Sequence, residues 1–178
     1  MHEATLSSET VFKGRIFDVE RIHISLADGT RSVRDVIRHS GAVGVLAEQP
    51  DGRFVFVRQY RKAQERVLLE IVAGTLKRGE DPRLCAGREL EEETGWRAGE
   101  LISLGPVLPS PGYVDERIEL FYARLAGEAG AQALDPDERV EPVALTRAEV
   151  EAAIDAGTLC DAKSIAAWHL YLRKVARA

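Results

Sequence analysis

Four of the five residues from Glu89 to Glu93 are acids, and they follow a turn suited to starting a helix. Asp81 fits an N-cap, and Pro82 fits the first helical position, where a backbone N–H has no partner to lose. Gly95 suits the left-handed residue just past the end, so the spacing predicts a helix that stops near Thr94. Glu89, Glu91, Glu92 and Glu93 then fall in its C-terminal half. There the helix dipole is negative and each added carboxylate is unfavourable. Glu89 and Glu93 are four apart and share a face, with Glu92 beside them, so the carboxylates repel. A helix built only for stability carries Lys or Arg at these positions. A divalent cation relieves the repulsion, because Mg2+ takes carboxylate oxygens and fills its shell with water and phosphate oxygens. The plain alternative is a solvated acidic helix face.

The pattern extends beyond the acids. From Gly74 there are five residues to Glu80, then seven to Arg88-Glu89-Leu90-Glu91-Glu92-Glu93-Thr94-Gly95-Trp96. This resembles the Nudix box, G-x5-E-x7-R-E-U-x-E-E-x-G-U with U apolar, at every fixed position. The resemblance implies hydrolysis of a nucleoside diphosphate linked to another group, with two or three bound Mg2+ or Mn2+ ions. It implies metal ligands at Glu89, Glu93, the Ala73 carbonyl and Glu92. It also makes Glu92 and Glu93 catalytic and puts Glu80 in a hydrogen-bonding frame with an outer role at the metal. Arg88 is four residues before Glu92, which makes it the expected partner of a box carboxylate rather than of substrate. Gly74 is expected to let the backbone approach metal or phosphate closely.

Outside the box, the stretch Arg58-Gln59-Tyr60-Arg61 sets two guanidiniums beside an aromatic ring, a combination that clamps phosphate and stacks on a base. By composition an ordinary strand end with solvated arginines explains it equally well. Followed by Glu70-Ile71-Val72-Ala73-Gly74, however, it resembles the ADP-ribose pyrophosphatase branch of the Nudix family. That branch implies a substrate contact at Arg61, and Arg58 is read with it as the second guanidinium of the clamp. The loop Ser110-Pro111-Gly112 running to Glu116 resembles the same branch, implying substrate-site roles for Pro111 and Glu116 near the diphosphate and ribose. Tyr113 in that loop is available for stacking. An acidic segment, residues 134–141, corresponds to a loop that supplies a glutamate over the site. Glu138 is the first choice for the general base and Glu141 the second. Asp161-Ala162-Lys163-Ser164 also resembles the end of this branch.

The composition is compatible with that reading. A chain of 178 residues with 45% hydrophobic content can bury a sizeable core. The net charge of −5 offers no basic excess for nucleic acid, so a polyphosphate substrate calls for local metal and placed arginines. Two cysteines make no disulfide framework. Neither a signal pattern nor an apolar run of membrane length stands out, so the expected setting is the cytoplasm, without membrane or nucleic-acid partners.

These residues need elements to hold them. Apolar and polar positions alternate over residues 10–38 around an Asp28-Gly29 turn, which predicts two or three antiparallel strands. Residues 41–47 and 53–60 are short, Val-rich runs read as strands, as are 101–107 and 117–125. Thr146 with Glu149 forms a capping box for a helix ending at Gly157, and a final helix covers 161–175 with Trp168 in the core. Cys85 is read as a small core residue, and residues 126–133 as the nearest thing to a flexible segment. The fold expected is an α/β, Nudix-type α/β/α sandwich with a mixed sheet, plus a small N-terminal antiparallel sheet. The division is residues 1–40, implied by the resemblance to form a homodimer, and 41–178 as the hydrolase domain. Expected activity is hydrolysis of ADP-ribose to AMP and ribose 5-phosphate. Two alternatives stay open: another nucleoside diphosphate sugar such as GDP-mannose, or a non-catalytic sensor of ADP-ribose-like ligands.

Overall fold

A computed structural model describes residues 2–176. The chain divides into two compact units, one of residues 1–41 and 108–117, the other of 42–107 and 118–178. The smaller unit is a three-stranded antiparallel sheet, β1 (Ala4–Lys13), β2 (Phe17–Ser25) and β3 (Arg31–His39). The Asp28-Gly29 turn joins β2 to β3; Asp28 accepts the Thr30 N–H and Gly29 takes φ 87. The 108–117 loop docks on β3. The Ile37 N–H donates to the Tyr113 carbonyl at 2.8 Å, and Asp115 accepts from the His39 N–H at 2.8 Å and from Arg38 at 3.1 Å.

The larger unit is built on a seven-stranded mixed sheet in the order β10-β5-β4-β9-β8, with β6 on β5 and β7 on β4. Its strands are β4 (Ala42–Glu48), β5 (Phe54–Arg61), β6 (Arg66–Glu70), β7 (Val72–Thr75), β8 (Arg97–Val107), β9 (Ile118–Ala126) and β10 (Val140–Leu145). Only β4 and β9 run parallel. Period-two alternation sorts their side chains cleanly onto two faces. Leu46, Phe54, Phe56, Leu120 and Tyr122 pack under α2 (Arg147–Asp155) and α3 (Ala162–Lys174) through Val150, Ala167, Trp168 and Tyr171. Val43, Val45, Val55, Val57, Phe121 and Ala123 pack under α1 (Pro82–Thr94) through Cys85, Ala86 and Leu90. This is the expected α/β/α sandwich. Phe54 meets Trp168 edge-on at 4.9 Å between ring centroids, so Trp168 is core, while His169 beside it is exposed.

One feature of the sheet was not visible in the pattern. β4 pairs with β7 through Ala42–Val45 and with β5 through Ala47 and Glu48. The sheet therefore forks along β4, and the β6–β7 junction, Glu70-Ile71, sits in the fork.

Helix α1 begins and ends as its sequence requires. Asp81 Oδ1 accepts the N–H groups of Arg83 and Leu84 at 2.8 and 3.2 Å. Gly95 closes the helix at φ 73, its N–H donating to the Glu91 carbonyl at 2.8 Å. A Cβ on Gly95 would lie 2.1 Å from the Gly130 carbonyl oxygen, as well as straining the backbone. Gly95→Ala is therefore expected to destabilise the protein by about 2 kcal/mol or more, read as a lowered midpoint in urea with an unchanged slope.

Candidate active site

Two acids of α1, with Glu80 before it, are gathered on one arginine. Arg88 donates to Glu89 at 2.7 Å, to Glu92 at 2.8 Å and to both oxygens of Glu80 at 3.1 and 3.2 Å. Burial alone would lower the Arg88 pKa, but the three carboxylates outweigh it and raise it. Glu80 in turn is held at about 2, by Arg88 first and then by the Lys77 N–H. The expected pairing of Arg88 with Glu92 is present, and its hold on Glu80 closes the frame around the turn.

Glu93 is treated differently. It is 3% exposed, and its Oε2 is the buried side-chain oxygen without a hydrogen-bond partner among the described residues. The Ala73 N–H donates to the same carboxylate. Burial, then the charges of Glu89 and Glu138, push its pKa up to about 8. Glu89 is also raised, by burial first, despite Arg88. Gly74 explains how Glu89 fits. A Cβ there would fall 1.9 Å from the Glu89 carboxyl carbon. The glycine thus makes room for a box carboxylate, a role closer at hand than the approach of metal or phosphate.

This donor set suits a hard divalent cation: a buried unpartnered carboxylate oxygen, a second carboxylate against Gly74, and the Ala73 backbone beside them. With the side chains as they stand, no group of three Asp, Glu, His or Cys converges on a point among the described residues. Arg88 accounts for this by drawing Glu89 and Glu92 to itself.

The other expected residues divide by unit. In the larger unit, the Arg61 Nε and Nη2 donate to Glu70 at 2.7 and 2.8 Å, so the fork is spent on a protein carboxylate. Its side chain stays 40% exposed, and Arg61 and Glu93 feel each other's charge. Arg58 stands opposite Glu141 across β5 and β10, 3.4 Å from its carboxylate. Glu138 accepts the Asp135 N–H at 3.2 Å, and its charge reaches both Glu89 and Glu93. In the smaller unit, Pro111 and Tyr113 are exposed, and Glu116 lies 3.6 Å from His39 Nδ1.

Residues 126–133, read as flexible, are docked on the end of α1 by their second half. The Gly130 N–H donates to the Gly95 carbonyl at 2.8 Å and the Ala133 N–H to the Glu92 carbonyl at 2.9 Å. The Gln132 amide donates to the Glu93 carbonyl at 2.5 Å and the Val140 carbonyl at 3.2 Å. Carbonyls that a helix end leaves orphaned are thereby satisfied. The same bonds anchor both ends of the segment carrying Glu138. Gln132 carried no sequence signal beyond its place in a polar loop.

A sequence model of the NUDIX domain matches residues 38–167. The chain belongs to the Nudix family. A methanol dehydrogenase activator of Bacillus methanolicus is 40% identical over 166 residues, 93% of this chain and 90% of its own. An ADP-ribose pyrophosphatase of Bacillus subtilis (strain 168) is 37% identical over 165 residues, 92% and 89% of the two chains. A solved structure of an ADP compounds hydrolase superposes with a TM-score of 0.85 at 23% identity, covering 99% of this chain and 96% of that one, which supports the fold. Nudix hydrolases generally depend on divalent metal.

The raised pKa of Glu93 has a consequence for stability. In chelator the folded chain keeps a proton on Glu93 that the unfolded chain loses near 4.5. The native state binds more protons between about 4.5 and about 8, so stability falls as the pH rises through that window. Thermal midpoints in EDTA are expected to drop from pH 5 to pH 8. Glu93→Gln should flatten the profile, and so should added Mg2+ in the wild type.

Proposed function

We propose that the chain hydrolyses the diphosphate linkage of ADP-ribose, giving AMP and ribose 5-phosphate, with two or three Mg2+ or Mn2+ ions per site. The observation that carries this is the 37% match to an ADP-ribose pyrophosphatase along 92% of the chain, with every fixed position of the box retained. Glu89, Glu92, Glu93 and the Ala73 carbonyl hold the metal. Bound divalent cations supply a water of lowered pKa and screen the phosphate charge. Arg88 holds Glu89 and Glu92 through hydrogen bonds at 2.7 and 2.8 Å. Glu93 would give up its proton on taking a cation. Arg58 and Arg61 meet the diphosphate; the resemblance assigns substrate roles to Pro111 and Glu116 as well. Glu138 takes the proton of the attacking water, the role the resemblance assigns to this loop.

A homodimer and the cytoplasm belong to the same proposal. Leu6, Val11, Phe12, Ile16 and Phe17 are exposed around β1 and β2, as a strand layer awaiting a second copy would be. Cys85 and Cys160 are free thiols, compatible with a reducing compartment. Among the described residues no helix is long and apolar enough to cross a membrane. A second reading is favoured by the 40% match to a methanol dehydrogenase activator: the chain stimulates an alcohol dehydrogenase. Adding it to a methanol dehydrogenase assay decides that point.

The substrate is tested with ADP-ribose, GDP-mannose, UDP-glucose, NADH and diadenosine polyphosphates in Mg2+, products separated by chromatography. Preference for ADP-ribose with AMP released is expected. GDP-mannose preference would keep the site and overturn the substrate, and tight binding without turnover would mark a sensor. Glu93→Gln should keep the fold and nearly abolish turnover. Glu138→Gln should lower kcat by about 10²–10⁴-fold, the range for a lost general base. Glu141→Gln should leave it near wild type, and the reverse pattern would transfer the base to Glu141.

A further inference from the structure

Glu70 is a buried charge with more partners than neutrality requires. It is 2% exposed at the end of β6, and Arg61 alone would balance it through a two-bond fork. A second cation is nonetheless present: the Lys163 ammonium, 12% exposed, donates to Glu70 Oε2, the oxygen that Arg61 Nη2 also uses. Lys163 carries its own counter-charge, Asp161 Oδ2 at 3.0 Å. That oxygen also accepts the Ser164 N–H at 3.0 Å and the Ser164 hydroxyl at 2.5 Å. The Ser164 Oγ then accepts the Ile71 N–H at 2.9 Å. The bonds close a ring: Glu70, Lys163, Asp161, Ser164, Ile71 and back through the Glu70–Ile71 peptide.

Economy of stability does not explain this ring. Each added buried charge carries a desolvation penalty, and apolar packing is often as stable. What the ring supplies is direction. The first turn of α3 grips the side chain of Glu70 and the backbone of Ile71 together. It does so in the sheet fork, just before Ala73 and Gly74. Three donors from two elements fix the plane of the Glu70 carboxylate, and a fork-to-fork pair transmits that plane to the guanidinium.

We propose that Lys163, supported by Asp161 and Ser164, is a positioning residue. By sharing the Glu70 carboxylate with Arg61, it sets the direction in which the Arg61 guanidinium meets the diphosphate. This rests on the reading above that Arg61 contacts substrate. Removing the ammonium leaves Glu70 paired with Arg61, so the fold should survive while the guanidinium loses its fixed aim.

The test is a double-mutant cycle on the full chain with ADP-ribose and Mg2+: wild type, K163M, R61Q and the double variant, with K163R as the conservative control. K163M is expected to raise KM about tenfold with little change in kcat, the mark of lost binding common to ground and transition states. K163R should recover most of that loss. In the R61Q background K163M should add nothing, because the residue acts through Arg61. An undiminished effect of K163M without Arg61, or no effect of K163M at all, overturns the inference. K163Q, which keeps a donor for Glu70 without the charge, carries the same cycle if K163M does not fold. If wild type prefers another nucleoside diphosphate sugar, the substrate reading fails. The cycle run on that sugar then decides the positioning role in the same way.

Discussion

Mutual repulsion among carboxylates at the wrong end of a helix is the constraint around which the larger unit is built. Helix α1 has no basic residue in its last turn, and Glu91, Glu92 and Glu93 stand there against the dipole. Three devices make this tolerable. Arg88 takes up Glu80, Glu89 and Glu92 in one guanidinium. The 130–133 segment donates N–H groups to the carbonyls of Glu92, Glu93 and Gly95, offsetting the negative pole itself. Glu93 escapes by holding its proton, as its raised pKa records. The last device leaves a buried carboxylate oxygen without a partner, so there stability is given up directly.

The same constraint explains the glycines at either end of the box. Gly74 leaves the space that the Glu89 carboxyl fills, and Gly95 lets the chain turn tightly enough for Gly130 to reach it. A side chain at either position would move the carboxylates that the chemistry needs held within a fraction of an ångström.

What could be read in the sequence was what local rules decide. The Asp81 cap, Pro82, the Gly95 end and the Thr146–Glu149 capping box all act within four residues, and all stand as expected. The Val-rich runs read as strands likewise stand, as β4 and β5. The misses are long-range. Residues 68–74 carry no expected element and form parts of two strands, because the fork in β4 is a property of pairing rather than of local pattern. Strand β8 starts at Arg97, ahead of the apolar run, and its register on β9 shifts at Gly99 and again at Leu104. The small residues of 126–133 looked mobile because their partners lie some forty positions earlier, on α1. Arg61 looked free for substrate because Glu70, nine residues on, becomes its neighbour only once β5 and β6 pair.

Two buried glutamates show how the fold separates framework from chemistry. Burial pushes both upward in pKa. At Glu70, Arg61 and Lys163 reverse the shift and hold the carboxyl below its usual range. At Glu93 neighbouring carboxylates add to it. Glu70 is therefore a permanent anion, fixed in direction and saturated with donors, fit to aim a guanidinium. Glu93 is an anion in waiting, with one oxygen unpartnered and a proton to release. Placing Lys163 near Glu93 instead would have stabilised the metal-free protein and filled the position that a cation must take. Keeping Lys163, with its counter-charge Asp161, on the Glu70 side of the fork leaves the box short of positive charge, which suits a family that depends on divalent metal.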